Sequence, residues 1–238
     1  MGQNEDLVGL LAADPQRAAI LLDVDGTLAP IVARPEDARV PDETRTELAR
    51  LAGSYALVAC VSGRPGADVR RMVGVDGVAV VGEHGLELVP EAAGWADRVA
   101  AFADGVDWPA ERKPLTVSFH FRRADDEDAA RAYLTRVADD AAAGGLVPRW
   151  GRMVLEVRPP VEADKGTAVR ELVRRAAVER ALYAGDDTTD VDAFAGLDGL
   201  DIGVRVAVDS GEAPQALLDA ADVVVDGTDG VLALLRRL

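Results

Sequence analysis

The chain has little cysteine: one residue, Cys60, in 238. A single thiol excludes an internal disulfide, and its place inside the apolar run ALVACVS points to burial. No run approaches the roughly 18 apolar residues of a membrane-spanning helix. The opening MGQNEDLVGLLAADPQ lacks the basic segment and apolar stretch of a secretory leader. Positive charge is scarce as well. With 26 Lys and Arg against 42 Asp and Glu, the formal net charge is −16. That argues against nucleic acid and against an anionic membrane, both of which need a basic face. No internal repeat and no low-complexity tract is visible. These absences predict a cytoplasmic globular protein with no nucleic-acid partner and no membrane.

What is present alternates in style. AAILLDV (18–24) is a continuous apolar run, as expected of a strand buried on both faces. PDETRTELARLAG (41–53) reads as a helix, with Asp42 near its start and Gly53 beyond its end. Strands follow at 55–62 and 78–85, with a short helix over 66–74 between them. Residues 89–161 differ, carrying all three Trp, at 95, 108 and 150. LTVSFHFR (115–122) and MVLEVRP (153–159) alternate like half-exposed antiparallel strands, and 127–143 is helical. After Pro159-Pro160 the first style resumes, with strands at 179–187, 201–208 and 221–227. The fold class predicted is α/β: a parallel-sheet core of Rossmann type (1–88 and 162–238) interrupted by an inserted α+β domain (89–161).

Each apolar run of the core ends in a polar cluster. The first is Asp23-Val-Asp25-Gly-Thr27, the second Ser62-Gly63-Arg64, the third Gly82-Glu83-His84-Gly85, and the fourth Gly185-Asp186-Asp187-Thr-Thr-Asp190. In a parallel α/β sheet the C-terminal strand ends share one edge, where ligands bind. Asp23, Asp25 and Asp186 would converge there and raise each other's pKa values. A hard cation with oxygen ligands removes that conflict, and Mg²⁺ suits carboxylates combined with phosphate oxygens. Thr27, Ser62 and the amides after Asp25 offer neutral donors, and Lys165 a positive charge. Together they form a phosphoryl-transfer set.

As a set, DVDGT, SGR, DKG and GDDTTD resemble the four motifs of the haloacid dehalogenase superfamily of Mg²⁺-dependent phosphatases. The resemblance implies a haloacid dehalogenase-like core and Asp23 as the nucleophile that forms an aspartyl-phosphate. It implies Asp25 as acid and base, with its carbonyl on the metal, and Lys165 as the catalytic cation. Asp186 would be a metal ligand, joined by Asp187 and Asp190. Ser62, Gly63 and Arg64 would meet the phosphate, as would Thr27. The insert resembles the family's C2-type cap and is similar to that of trehalose-6-phosphate phosphatases in particular. Lys113, His120 and Arg122 match a Lys-x6-His-x-Arg pattern. Arg149, Gly151 and Glu156 match a second pattern, followed by Arg158-Pro159. Thr116 departs from the Ser of many members but keeps the hydroxyl.

Several residues keep a plainer alternative. Ser62 could cap a helix, and Asp187 and Asp190 could be helix-start charges. His84 could be a structural hydrogen-bonder or meet substrate. His120 could sit on a sheet face with no role. Arg122, Arg149 and Arg152 could be solvated charges, although sugar binding is favoured for Lys113, Arg149 and Glu156. The expected substrate is trehalose 6-phosphate. Sucrose 6-phosphate, mannosyl-3-phosphoglycerate and pseudo-disaccharide phosphates are open alternatives, as is a catalytically silent phosphosugar-binding module. No synthase domain accompanies these motifs, so any coupling to synthesis would involve a separate trehalose-6-phosphate synthase.

Overall fold

The computed structural model describes residues 4–32, 34–151, 153–211 and 213–238. Its elements in chain order begin with α1 (Asn4–Ala12), β1 (Ala18–Leu22), α2 (Asp42–Ala52), β2 (Leu57–Val61), α3 (Gly66–Val73) and β3 (Val78–Val81). Then come α4 (Pro90–Ala93), α5 (Ala96–Asp104), β4 (Glu111–Arg112), β5 (Val117–His120), α6 (Glu127–Ala143), β6 (Val147–Gly151) and β7 (Val154–Arg158). The chain continues through α7 (Lys165–Ala176), β8 (Arg180–Gly185), α8 (Thr188–Ala195), β9 (Ile202–Asp209), α9 (Gln215–Ala220), β10 (Val223–Asp226) and α10 (Gly227–Leu235). Two compact units result: one runs to Gly85 and resumes at Ala163, the other spans Leu86–Glu162. Among the described residues, no helix is long and apolar enough to cross a membrane.

In the first unit six strands form a parallel sheet in the order β10-β9-β8-β1-β2-β3. Every residue of β1 is buried, which explains its unbroken apolar sequence. The strand order reverses at β1, so the crevice at the C-terminal ends of β1 and β8 is the topological switch point, where α/β folds take ligands. Leu22 pairs with Ala184 there, which brings the residues just after each strand side by side.

In the second unit the sheet order is β4-β5-β7-β6, all antiparallel. Phe119, Phe121, Leu134, Leu155 and Val157 form its core. His120, between the two buried Phe, is exposed and pairs with Glu111 at 2.6 Å. The aromatic set is therefore the core-facing one. β4 and β6 carry no signal of their own, since ER is too short and VPRWG holds Pro and Gly. Both exist because they pair with a patterned neighbour.

Helix α7 starts with a capping box: Asp164 accepts the Thr167 amide at 2.7 Å, and the Thr167 hydroxyl faces the Asp164 amide at 2.9 Å. Its first turn lies hard against α8. A Cβ on Gly166 would collide with the Asp192 carbonyl oxygen, and one on Gly196 would come within 2.7 Å of the Gly166 carbonyl. The close crossing needs glycine on both helices. Gly166→Ala is expected to lower stability by about 1–3 kcal/mol, read from the midpoint of urea unfolding.

Candidate active site

Asp23 follows β1 directly, and its amide donates to the Ala184 carbonyl at 2.9 Å, continuing the ladder. Its side chain is buried. Lys165, at the first position of α7, is buried with it and reaches Asp23 Oδ1 at 2.9 Å. The same ammonium lies 2.7 Å from Oδ1 of Asp190, which is fully buried in α8. Asp190 is saturated. Its Oδ1 also accepts the Tyr183 hydroxyl at 2.7 Å, and its Oδ2 accepts the amides of Asp186 and Asp187 at 3.0 and 2.9 Å.

Asp186 is left differently. Its Oδ1 is buried with no hydrogen-bond partner among the described residues, and the same holds for the Thr27 hydroxyl. Gly26, with φ of +79°, passes so close to the Asp186 carboxyl that a Cβ would overlap it. The loop between β1 and the isolated Asp25–Ala29 bridge is thus shaped around this carboxylate. Asp23, Asp186 and Asp190 offer ligand oxygens within 4.8 Å of one another.

Electrostatics sharpen the contrast. Burial pushes the Asp23 carboxyl well above the usual range, with Lys165 opposing and Asp190 and Asp186 adding to the rise. Burial, with Asp190 next, pushes Asp186 up to about 7. For Lys165, burial alone would lower the pKa, but Asp190 and Asp23 outweigh it and the ammonium stays charged. Crowded carboxylates, one with an orphaned oxygen, suit a divalent cation with oxygen ligands. The residues present therefore fit a metal.

The other expected site residues have distinct surroundings. Asp25 is part-exposed and held by Arg64, whose Nε and Nη2 reach its two oxygens at 2.6 and 2.7 Å. Arg64 is thus engaged by the candidate acid and base itself. Ser62 is buried, and its hydroxyl accepts the Arg64 amide at 3.2 Å. The residue capping α3 is Pro65, so Ser62 is no helix cap. A Cβ on Gly63 would strike the His84 imidazole. His84 and Glu83 both adopt left-handed φ, of 54° and 50°, and their amides donate to the Ser62 and Arg64 carbonyls at 2.9 Å. Two adjacent non-glycine residues held this way represent stored backbone strain. Asp187 is exposed and caps α8, accepting the Thr188 amide at 2.7 Å. Its helix-start role is realised and it lies outside the carboxylate cluster.

In the second unit, Lys113 Nζ lies 3.7 Å from Glu156 Oε1, and the Thr116 hydroxyl 3.4 Å from the same oxygen. Arg149 stands opposite Glu156 in the β6–β7 register. Lys113, Arg149 and Glu156 are thus brought together. Arg122 is exposed beyond the end of β5, and Arg152 lies outside the described residues. Tyr183 is a participant that motif reading passes over. Its signal was available: a tyrosine in an otherwise apolar buried strand needs a partner for its hydroxyl.

A parallel core ordered β3-β2-β1-β8-β9-β10, carboxylates at its switch point and an inserted α+β unit are the layout of a haloacid dehalogenase-like protein. The trehalose-phosphatase family model matches residues 21–110 and 108–220. A trehalose-phosphate phosphatase of Mycobacterium tuberculosis is 34% identical over 256 residues, covering 96% of this chain and 64% of that protein. An uncharacterised glycosyl hydrolase of the same organism is 36% identical over 215 residues, covering 80% of this chain and 16% of that protein. The chain thus spans less than two thirds of these relatives' lengths. The C-terminal domain of the Candida albicans trehalose-6-phosphate phosphatase shares the fold, with a TM-score of 0.74 at 23% identity, covering 98% of this chain and 96% of that one. The chain belongs to the trehalose-phosphatase family.

A carboxyl raised from 3.8 to about 7 on folding contributes stability below about pH 4 and loses it as pH rises through 7. In EDTA, wild type is therefore expected to lose on the order of 2–4 kcal/mol relative to Asp186→Asn between pH 4.5 and 8. Urea unfolding of both proteins across that range measures it.

Proposed function

We propose that the chain is a Mg²⁺-dependent phosphatase that hydrolyses trehalose 6-phosphate to trehalose and phosphate. The observation that carries this is the buried Asp23–Lys165–Asp190 chain beside the orphaned Asp186 oxygen at the switch point. Membership of the trehalose-phosphatase family supports the sugar. Asp23, Asp186 and the Asp25 carbonyl would hold the metal, which neutralises phosphate oxygens when bound. Asp190, with both oxygens already engaged, anchors the lysine in this reading.

The chemistry runs in two displacements. Asp23 attacks phosphorus as the carboxylate, the form that the Lys165 ammonium favours against burial, and forms an aspartyl-phosphate, while Asp25 gives its proton to the leaving sugar oxygen. Asp25 then takes a proton from water, which attacks the same phosphorus, releasing phosphate and restoring the Asp23 carboxylate. Arg64 spans both oxygens of Asp25, so one of them must be released before it can pass a proton to the leaving oxygen, and the phosphate dianion is the group that competes for the guanidinium. Thr27, Ser62 and the Gly63 amide serve the phosphate, with His84 packed on Gly63.

The inserted unit selects the sugar, with Lys113, Arg149 and Glu156 as its hydroxyl-binding group, an assignment supported by their juxtaposition. The buried single cysteine fits a cytoplasmic enzyme, supplied with its sugar phosphate by a separate synthase.

Phosphate release is to be measured with Mg²⁺, with and without EDTA, on trehalose 6-phosphate, glucose 6-phosphate, sucrose 6-phosphate and mannosyl-3-phosphoglycerate. EDTA-sensitive release from trehalose 6-phosphate, at least about tenfold above the others, is expected. Release from another member of the panel keeps the core chemistry and overturns the sugar. No release from any of them favours a binding module. Asp23→Asn is expected to lower kcat by at least about 10³-fold. Glu156→Gln is expected to raise KM for trehalose 6-phosphate about tenfold, leaving turnover of p-nitrophenyl phosphate near wild type.

A further inference from the structure

Tyr183 lies on β8, fully buried, with Phe194 of α8 edge-on at 6.2 Å between ring centroids. Its hydroxyl donates to Asp190 Oδ1 at 2.7 Å, the oxygen that also accepts Lys165 Nζ at 2.7 Å. Burial and then Asp190 raise the phenol's pKa, so it remains a donor. The remaining oxygen of Asp190 takes two backbone amides at 3.0 and 2.9 Å. Lys165 in turn spans from Asp190 to Asp23 at 2.9 Å.

We propose that Tyr183 is a positioning residue for phosphoryl transfer, acting through Asp190 to aim the Lys165 ammonium at Asp23; this rests on the phosphatase reading above. An ionised carboxylate offers about four acceptor positions. Two are taken by backbone amides that cannot move without unwinding the start of α8. The phenol takes a third, which leaves one for Lys165. The ammonium has three donors, so with one on Asp190 and one on Asp23, the last is directed to a phosphate oxygen. Without the hydroxyl, Oδ1 opens a second position. The lysine can then turn toward Asp190 and away from Asp23. Phenylalanine keeps the ring and its contact with Phe194, so Tyr183→Phe removes the donor alone.

The test compares wild type, Tyr183→Phe and, as a packing control, Phe194→Leu. Kinetics use the Mg²⁺-loaded enzymes on trehalose 6-phosphate. The lysine ammonium resonance of Lys165 is followed by NMR in metal-free protein with ¹⁵N-labelled lysine. Tyr183→Phe is expected to lower kcat about tenfold, to change KM by less than about twofold, and to lose the slowly exchanging Lys165 resonance. Phe194→Leu is expected to lower thermal stability and leave kcat and the resonance as in wild type. A Lys165 resonance unchanged in Tyr183→Phe overturns the proposal, as does an unchanged kcat beside a lost resonance. Absence of turnover in wild type defeats the phosphatase reading instead, and the resonance still decides whether the hydroxyl holds the lysine. Should Tyr183→Phe not fold, cross-relaxation between the Tyr183 hydroxyl and Lys165 ammonium protons in wild type decides. Its presence supports the shared acceptor, and its absence overturns it.

Discussion

A lysine ammonium buried between two carboxylates is the interaction on which the core depends. Taking one charge out of water costs several kcal/mol, and only close, well-satisfied partners repay it. Lys165 has such partners in Asp23 and Asp190, and each comes from a different element: the end of β1, the start of α7 and the first turn of α8. To hold them within about 3 Å, α7 and α8 must cross closely. This is why Gly166 faces the Asp192 backbone and Gly196 the Gly166 backbone, and why Asp164 ends the preceding loop in a cap. The DKG motif thus combines a cap, a buried cation and a helix crossing in three consecutive residues.

Much of this was legible from the chain. A continuous apolar run marked β1 and the stretch ERALYAGDD marked β8, and their polar ends marked the edge of the sheet where Asp23, Lys165, Asp186 and Asp190 meet. Helix α6 was legible to its ends, over 127–143. What escaped was whatever depends on a partner remote in sequence. β4 and β6 exist through register with β5 and β7. The expected strand over 78–85 stops at Val81, because Glu83 and His84 turn left-handed to reach the carbonyls after β2. The Arg64–Asp25 pair and the Tyr183 hydroxyl bond are side-chain geometry that no motif encodes.

The carboxylates also show how similar residues divide their labour by environment. Asp187 and Asp190 are three apart in one capping box, yet one is exposed and serves the helix start while the other is wholly buried and serves a lysine. Asp186, next to Asp187, spends neither side-chain oxygen on the helix and leaves one buried and unmatched. Burial and neighbours separate three acids that the motif GDDTTD presents as equals.

The order of strands bears on how the protein comes off the ribosome. β1 pairs with β2 on one side and with β8 on the other, and β8 begins at Arg180. Translation from Leu22 to Arg180 takes on the order of 10 s at about 5–20 residues per second. Throughout that time an apolar strand edge stays open, a liability that invites pairing with other chains. The segment Leu86–Glu162, which builds its own antiparallel sheet and core, emerges during this wait and can be complete before β8 appears. Arrival of β8 covers that edge of β1 and presents its own, which β9 and β10 cover in turn, and α8 follows β8 at once with Asp190 for the lysine of α7. The buried charge network is therefore assembled on a sheet whose last two strands have still to be made.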